Sequence, residues 1–198
     1  FADENSLVMN LSVYPEEHEV FCADGAAPLI LEVLLCDSSQ NPIPYSRIKL
    51  QFSHFSARIR PARPITGRDG RVTITLYPQE PYLSETGAGL EPVTKTSAAI
   101  RLNAAKALPV LWEGRIANPP VLLVHGFQDT SESMVPLKNF LTEKGLFVFS
   151  LDYDTNTDLP AMADELDEAL SGLMRNLRDN GIYAQRVDIV AHSLGGLV

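Results

Sequence analysis

Little in this composition points to a class at once, and each shortage excludes something. Four histidines and two cysteines in 198 residues stand at no Cys/His/Asp/Glu spacing that would hold a metal, and no other pattern asks for a cofactor. No apolar run approaches the ~18 residues of a membrane span, so a soluble or surface-attached protein is expected. Excess positive charge is missing too. The formal net charge is −9, and residues 119–198 carry 12 acidic against 5 basic side chains while residues 1–118 carry 13 against 11. An acidic second half argues against nucleic acid as a partner. An initiating methionine is also lacking. Phe1-Ala2 fits the tail of an A-x-A signal-peptidase site cut after Ala2, and a secreted or cell-envelope bacterial location is the expectation. Cysteine does not decide the compartment. A turn at Ala23-Asp24-Gly25 followed by a strand over Leu29–Cys36 sets Cys22 and Cys36 near opposite ends of that strand, ~25 Å apart and beyond disulfide reach.

What is present reads as two regions of different period. A hydrophobic share of 45% with 21% charged residues is that of a folded globular chain. In the first region apolar residues alternate with polar ones in short runs: Leu7, Met9, Leu11 and Val13, then Leu29, Leu31, Val33 and Leu35. Ile48, Leu50 and Phe52 come next, then Val72, Ile74 and Leu76, with Ile100 and Leu102 closing the set. Turn residues separate the runs at Asp24-Gly25, Asn41-Pro42 and Asp69-Gly70. Short alternating strands without a helical period predict an all-β sandwich over residues 1–103. Arg58, Arg60, Arg63, Arg68 and Arg71 cluster in a Pro-containing stretch, which reads as a solvated loop between strands. The sharper alternative there is a contact with an anionic polymer or lipid headgroup. His18 reads as an exposed loop residue and His54 as a satisfied histidine at a strand end.

The turns of this region, Ala23-Asp24-Gly25, Asp37 through Asn41-Pro42-Ile43, and Thr66-Gly67-Arg68-Asp69-Gly70 leading into Val72–Leu76, resemble those of the bacterial Ig-like domains of invasin and intimin type. The resemblance covers roughly residues 5–102 and implies a rigid spacer or adhesive module, with no chemistry. Residues 104–118 lose the alternation and read as a linker. Within them Ala107–Trp112 could instead be a first strand of the second region, or a patch between the two regions.

From Pro119 the period changes. Val121–Val124 is a buried strand, and Ser133 is the expected N-cap of a helix carrying Met134, Leu137, Phe140 and Leu141 on one face. Leu146–Leu151 is a second strand. A long helix comes next, capped by Asp158 and periodic through Leu159, Met162, Leu166, Leu170, Leu173 and Leu177. Val187–Val190 then runs into Ala191-His192-Ser193-Leu194-Gly195-Gly196. Alternating strands and helices of this kind predict part of a parallel, doubly wound sheet. A serine at the apex of a strand-to-helix turn, with small residues two before and two after it, is the arrangement of a nucleophile elbow.

With the strand-His-Gly sequence Val121–Gly126 upstream, residues 119–198 resemble the α/β-hydrolases of lipase/esterase type, with Ala191 where the common motif has Gly. The fold expected for the whole chain is therefore two-domain, an all-β Ig-like sandwich followed by the N-terminal part of an α/β-hydrolase sheet. By resemblance Ser193 would be the nucleophile, and the backbone N–H groups of Phe127 and Leu194 the oxyanion hole, each donor of that kind being worth ~3 kcal/mol. His125, Gly126, Ala191 and Gly195 would support the site, with His125 propping the loop rather than acting as base. Asp152 and Asp154 read as surface or loop-ordering residues. The family's acid and histidine come after the nucleophile, and the chain stops five residues beyond Ser193. The expectation is thus a serine hydrolase acting on small-molecule or lipid esters through an acyl-enzyme, without metal or cofactor, and inactive in this chain alone. The alternative is a surface adhesion or binding protein with a vestigial hydrolase segment, in contact with a cell or membrane surface. A non-hydrolytic acyltransferase is a third reading.

Overall fold

The computed structural model describes residues 7–16, 18, 20–53, 55–81, 96–104 and 106–198; His54 and Phe1-Ala2 lie outside them. The chain is mostly β. Its strands are β1 (Val8–Tyr14), β2 (Val20–Cys22), β3 (Leu29–Cys36), β4 (Lys49–Ser53), β5 (Phe55–Arg60), β6 (Arg71–Pro81), β7 (Thr96–Asn103), β8 (Val110–Ala117), β9 (Val121–Val124), β10 (Val148–Leu151), β11 (Ile182–Tyr183) and β12 (Asp188–Ala191). Two α-helices, α1 (Val135–Glu143) and α2 (Leu159–Asp179), accompany them.

The strands up to β8 build a sandwich. One sheet has four strands in the order β1-β3-β6-β5, and the facing sheet has five in the order β11-β2-β8-β7-β4. The alternating residues predicted to face inward do so: Leu29, Leu31, Val33, Leu35, Ile74, Leu76, Ile100 and Leu102 are all buried in one apolar cluster. Glu32, Thr73 and Arg101 on the opposite parity face water or its margin. Removing such side chains from water, at about 1.5–3 kcal/mol each, is what holds two sheets face to face.

Three expectations are corrected here. Residues 110–117 are not a linker. They form β8, hydrogen-bonded along its length to β7 in antiparallel register from Thr96↔Ile116 to Leu102↔Val110. Its alternation is hidden because the inward positions include Gly114 while Leu111 points out, 56% exposed. Within the arginine cluster, Arg58 and Arg60 stand on β5 rather than in a loop, alternating with the inward Phe55, Ala57 and Ile59. Arg58 lies over the Tyr77 ring at 4.5 Å, and Arg68 Nε donates to Tyr45 Oη at 3.1 Å. His18 is buried, not exposed, and meets Tyr183 edge-on with ring centroids 4.8 Å apart. Cys22 and Cys36 are unpaired and buried, and burial pushes the Cys22 thiol up to about 12.

Residues 119–198 hold a three-stranded parallel sheet in the order β10-β9-β12. The central β9 is buried at every position. Val121 and Leu123 pack toward Met134, Leu137 and Leu141 of the α1 side, and Leu122 and Val124 toward Met162, Leu166 and Leu170 of α2. A strand covered on both faces needs apolar residues throughout, which is what VLLV supplies. The first helix differs from its predicted start. Thr130 precedes a 3₁₀ turn over Ser131–Met134 that leads into α1, and the Ser133 hydroxyl donates back to the Thr130 carbonyl rather than capping. Asp158 caps α2 as expected, accepting from the Ala161 N–H at 3.0 Å.

The two regions are joined through a shared sheet. β11 pairs in parallel with β2, Ile182 opposite Val20 and Tyr183 opposite Phe21, and so adds a strand from the second region to the sandwich. A buried cluster crosses the same seam, with Val20, Cys22 and Ala117 on one side and Leu173, Leu177, Ile182 and Ala184 on the other. Asp24 ties it off. Its Oδ1 accepts from the Ala26 and Ala27 N–H groups at 2.7 and 2.7 Å, and its Oδ2 from those of Gln185 and Arg186 at 2.7 and 3.1 Å.

Candidate functional site

The carboxyl ends of β9, β10 and β12 meet at one edge of the parallel sheet. β12 pairs with β9 from Asp188↔Val121 to Ala191↔Val124, so the turn after it stands beside His125 and Gly126. Ser193 opens a 3₁₀ turn over Ser193–Gly196 with φ of 51°. A non-glycine residue in that left-handed region stores backbone strain of about 1–3 kcal/mol. Glycine is needed at Gly195, where a Cβ would fall 2.5 Å from the His125 carbonyl oxygen and 2.9 Å from Val124 Cγ1. At Gly126 a Cβ would lie 3.1 Å from both His192 Nδ1 and Ser193 Cβ. Ala191 is exposed on β12, Phe127 is 57% exposed, and Leu194 is half-buried.

His125 is buried at 1% exposure and stacks on Tyr153, ring centroids 4.5 Å apart. Its Nδ1 lies 3.0 Å from the Gly126 carbonyl oxygen, and its own carbonyl accepts from the Tyr153 hydroxyl at 2.7 Å. Burial raises the Tyr153 phenol above its ordinary value. The His125 ring is therefore held by its own loop, and among the described residues neither it nor His192 is hydrogen-bonded to the Ser193 hydroxyl. Asp152 orders the neighbouring loop, accepting from the Ser131 N–H and hydroxyl at 2.6 and 2.7 Å. Those bonds hold its carboxyl below the usual range, with the nearby His125 adding to them. Asp154 accepts from the Asn156 N–H at 2.9 Å and closes the next turn. Asp129 is lowered in the same way, first by the Ser133 hydroxyl and then by the Thr130 N–H.

What the arrangement brings together is a strained, exposed serine, a buried histidine turned away from it, and several carboxylates. An unassisted serine hydroxyl is a poor nucleophile, because its proton has nowhere to go as the bond to carbon forms. Two features are not signalled by the sequence alone. The Asp24 clamp depends on pairing over 161 residues, for which no local pattern exists. The carboxylate-lined cavity beside His125 is hinted at only by Asp152 and Asp154 at a strand's carboxyl end. Among the described residues no group of three or more His, Cys, Asp or Glu could hold a metal ion, and no helix is long and apolar enough to cross a membrane.

The chain matches no protein-family model and no curated relative. Solved structures similar to it include the D00-D0 domain of intimin, 11% identical with a TM-score of 0.36, covering 55% of this chain and 48% of that one. The adhesin InvE of Yersinia pseudotuberculosis is 13% identical with a TM-score of 0.39, covering 60% and 31%. InvD of the same organism is 16% identical with a TM-score of 0.34, covering 61% and 29%. The chain thus spans less than half the length of each of these three. The serine ester hydrolase expected from residues 119–198 is corrected. The three similar structures named here are adhesin domains and no family model of a serine ester hydrolase matches the chain, and the small-molecule ester substrate falls with that reading.

Proposed function

We propose that the chain is a surface adhesion or binding protein of the bacterial cell envelope, in which residues 119–198 are a vestigial hydrolase-like segment. One observation carries the reading. The two facing sheets enclose one apolar core whose buried members run from Met9 to Ile116, the build of a stiff presenting module. Ser193, Phe127, Leu194, His125, Gly126, Ala191 and Gly195 are, in this reading, the geometry of an ancestral turn kept by packing, as the close approach of Gly195 to β9 requires. The sandwich supplies stiffness. Through β11 the second region is carried on the same sheet, so that it is presented rigidly instead of on a tether. The partner is a cell surface. Saturable binding of the labelled chain to intact cells, equal in Ser193→Ala and wild type and lost on unfolding, is the expected result. Ser193-dependent turnover of p-nitrophenyl esters by the chain, or no saturable binding to any cell surface, would sink the proposal.

A further inference from the structure

At one rim of the sandwich, β4 ends its sheet and β5 ends the facing one. An open cavity of about 580 Å³ lies there, its lining including Arg47, Lys49, Gln51, Ile59, Pro64 and Asn103, a volume ordinary for a ligand site. Both charges in its wall are positive. Basic side chains on an edge strand often serve only to keep a further strand from pairing, and two observations go beyond that. The first is the charge around the cavity. Residues 38–68 contain Arg47, Lys49, Arg58, Arg60, Arg63 and Arg68 and no aspartate or glutamate, in a chain of 25 acidic and 16 basic side chains. Arg101 on β7 adds a cation opposite Gln51. The charge pair found among the described residues, His125 with Asp152, involves none of these groups. The second observation is the backbone. The Ile48 N–H donates to the Pro64 carbonyl at 3.0 Å, away from β7. Polar backbone groups alternate sides along a strand, so Leu50 aims its N–H and carbonyl the same way. No described strand pairs with that edge of β4, and Leu50 opens on the cavity.

A ligand that answers the cationic, amide and apolar parts of this wall carries an anionic group, hydroxyls and an apolar ring face. Arg47 and Lys49 take a carboxylate through charge-assisted bonds, bidentate ones in the case of arginine. The Gln51 and Asn103 amides both donate and accept, as hydroxyls do, and the Leu50 backbone adds one group of each kind. Ile59 and Pro64 supply an apolar floor for the C–H face of a sugar ring. A concave site of this build suits a chain of rings better than a bilayer. We propose that this cavity binds an acidic glycan, a pyranose chain bearing carboxylates, with one carboxylate held by Arg47 and Lys49. The proposal deepens the adhesive reading and rests on it for its setting, a cell surface that displays such a polymer.

The test is calorimetric titration of the full chain with tetragalacturonate. Maltotetraose carries the rings without the charge and tetraglutamate the charge without the rings, and both run beside it. Saturable binding of tetragalacturonate alone is expected, weakening as salt rises. Arg47→Ala and Lys49→Ala should each lower the affinity about tenfold, as for loss of a charge-assisted bond, and Gln51→Ala less. All three side chains are exposed, so the urea midpoint read by Trp112 should stay at its wild-type value. No binding of tetragalacturonate, equal binding of tetraglutamate, wild-type affinity in all three variants, or tighter binding to phosphatidylglycerol vesicles would overturn the proposal. Cell binding that persists when Arg47→Ala and Lys49→Ala are combined would overturn the glycan site and leave adhesion standing. Tetragalacturonate binding by a chain that adheres to no cell would do the opposite.

Discussion

Removing the Asp24 carboxylate should uncouple the two regions of the chain. Four backbone N–H groups converge on it, two from its own turn and two, Gln185 and Arg186, from beyond β11. A hydrogen bond to a charged acceptor contributes about 1.5–3 kcal/mol when sheltered, and less where water can replace it. Asp24 is half-buried, so about 1 kcal/mol for each cross-region bond and half that for each local one gives ~3 kcal/mol for Asp24→Ala. Asp24→Asn is the more telling variant. A carboxylate accepts on both oxygens, whereas an amide accepts on one side and donates on the other. Whichever way the amide turns, one pair of N–H groups faces another donor, and about half of the loss, ~1.5 kcal/mol, should remain.

With an m-value of about 2 kcal/mol/M in urea, these losses move the midpoint down by about 1.5 M and 0.8 M. Two signals separate the regions. Trp112, the sole tryptophan, packs against the sandwich core, while the helical signal at 222 nm comes from α1 and α2. In the wild type the two should fall together, since β11 and the Val20–Leu177 cluster bind the regions into one body. In Asp24→Ala the helical signal should fall first. Coincident transitions with a midpoint within about 0.2 M of wild type would refute the idea that this carboxylate couples them.

Other contacts give outcomes of their own. Gly114→Ala drives a Cβ into the Trp112 ring, which must swing away; a loss of about 1–3 kcal/mol with altered tryptophan emission is expected, and an unchanged spectrum would contradict the packing. Cys22, raised to about 12 from 9.0 by burial and then by Asp24, should not react with a thiol reagent near pH 8 until urea unfolds the chain. Because its folded value lies above its unfolded one, its contribution is complete below about pH 9 and declines as pH rises further; a midpoint in urea that is flat from pH 8 to about pH 11 would count against it. Asp152 is shifted the other way, lowered by the Ser131 bonds and by His125. Its contribution is present above about pH 4 and fades as pH falls through the lower folded value, so Asp152→Asn should flatten the acid limb of the stability curve.

Much of the sandwich is legible in the sequence because period-2 patterning is a local property. β3 alternates over its whole length, and Leu29, Leu31, Val33 and Leu35 can be placed inside from sequence alone. β8 is not legible, and the reason is physical. An aromatic ring folded over a glycine buries that position without leaving a hydrophobic residue there, so the alternation of Trp112, Gly114 and Ile116 shows only once Trp112 is seen lying on Gly114. β5 carries the pattern plainly, but Arg58, Arg60 and Arg63 interleaved with Pro61 and Pro64 read as a loop. Long charged side chains on the outward face of a strand look the same as a solvated turn until the inward Phe55 and Ile59 are counted. His18 is misread as exposed because the strand that buries it, β11, lies more than 160 residues away.

The candidate site shows the same division between what is local and what is not. The turn around Ser193 can be read from spacing, since the approach of Gly195 to the His125 carbonyl is a property of a few neighbouring residues. The company that serine keeps cannot be read. Chemistry at a hydroxyl requires a base within hydrogen-bond reach, and that is a tertiary fact. Here His125, the one buried imidazole beside the turn, spends Nδ1 on its own loop and aims Nε2 at Asp152, away from any bond to Ser193. A motif thus fixes the backbone of the turn, while the directions its neighbouring side chains take are set only in three dimensions. The exposed β12 makes the same point about stability. Ile189 is 49% and Val190 39% exposed on a strand whose outer edge pairs with nothing described. Such an edge invites association unless blunted by charge, and Asp188 is the only charge it carries. Replacing Ile189 by lysine should therefore lower aggregation on concentration while leaving the Trp112 unfolding midpoint unchanged, because the side chain contributes little to the core. Equal aggregation in light scattering would locate the sticky surface away from this edge, with the exposed Phe127 and Leu197 the next positions to change.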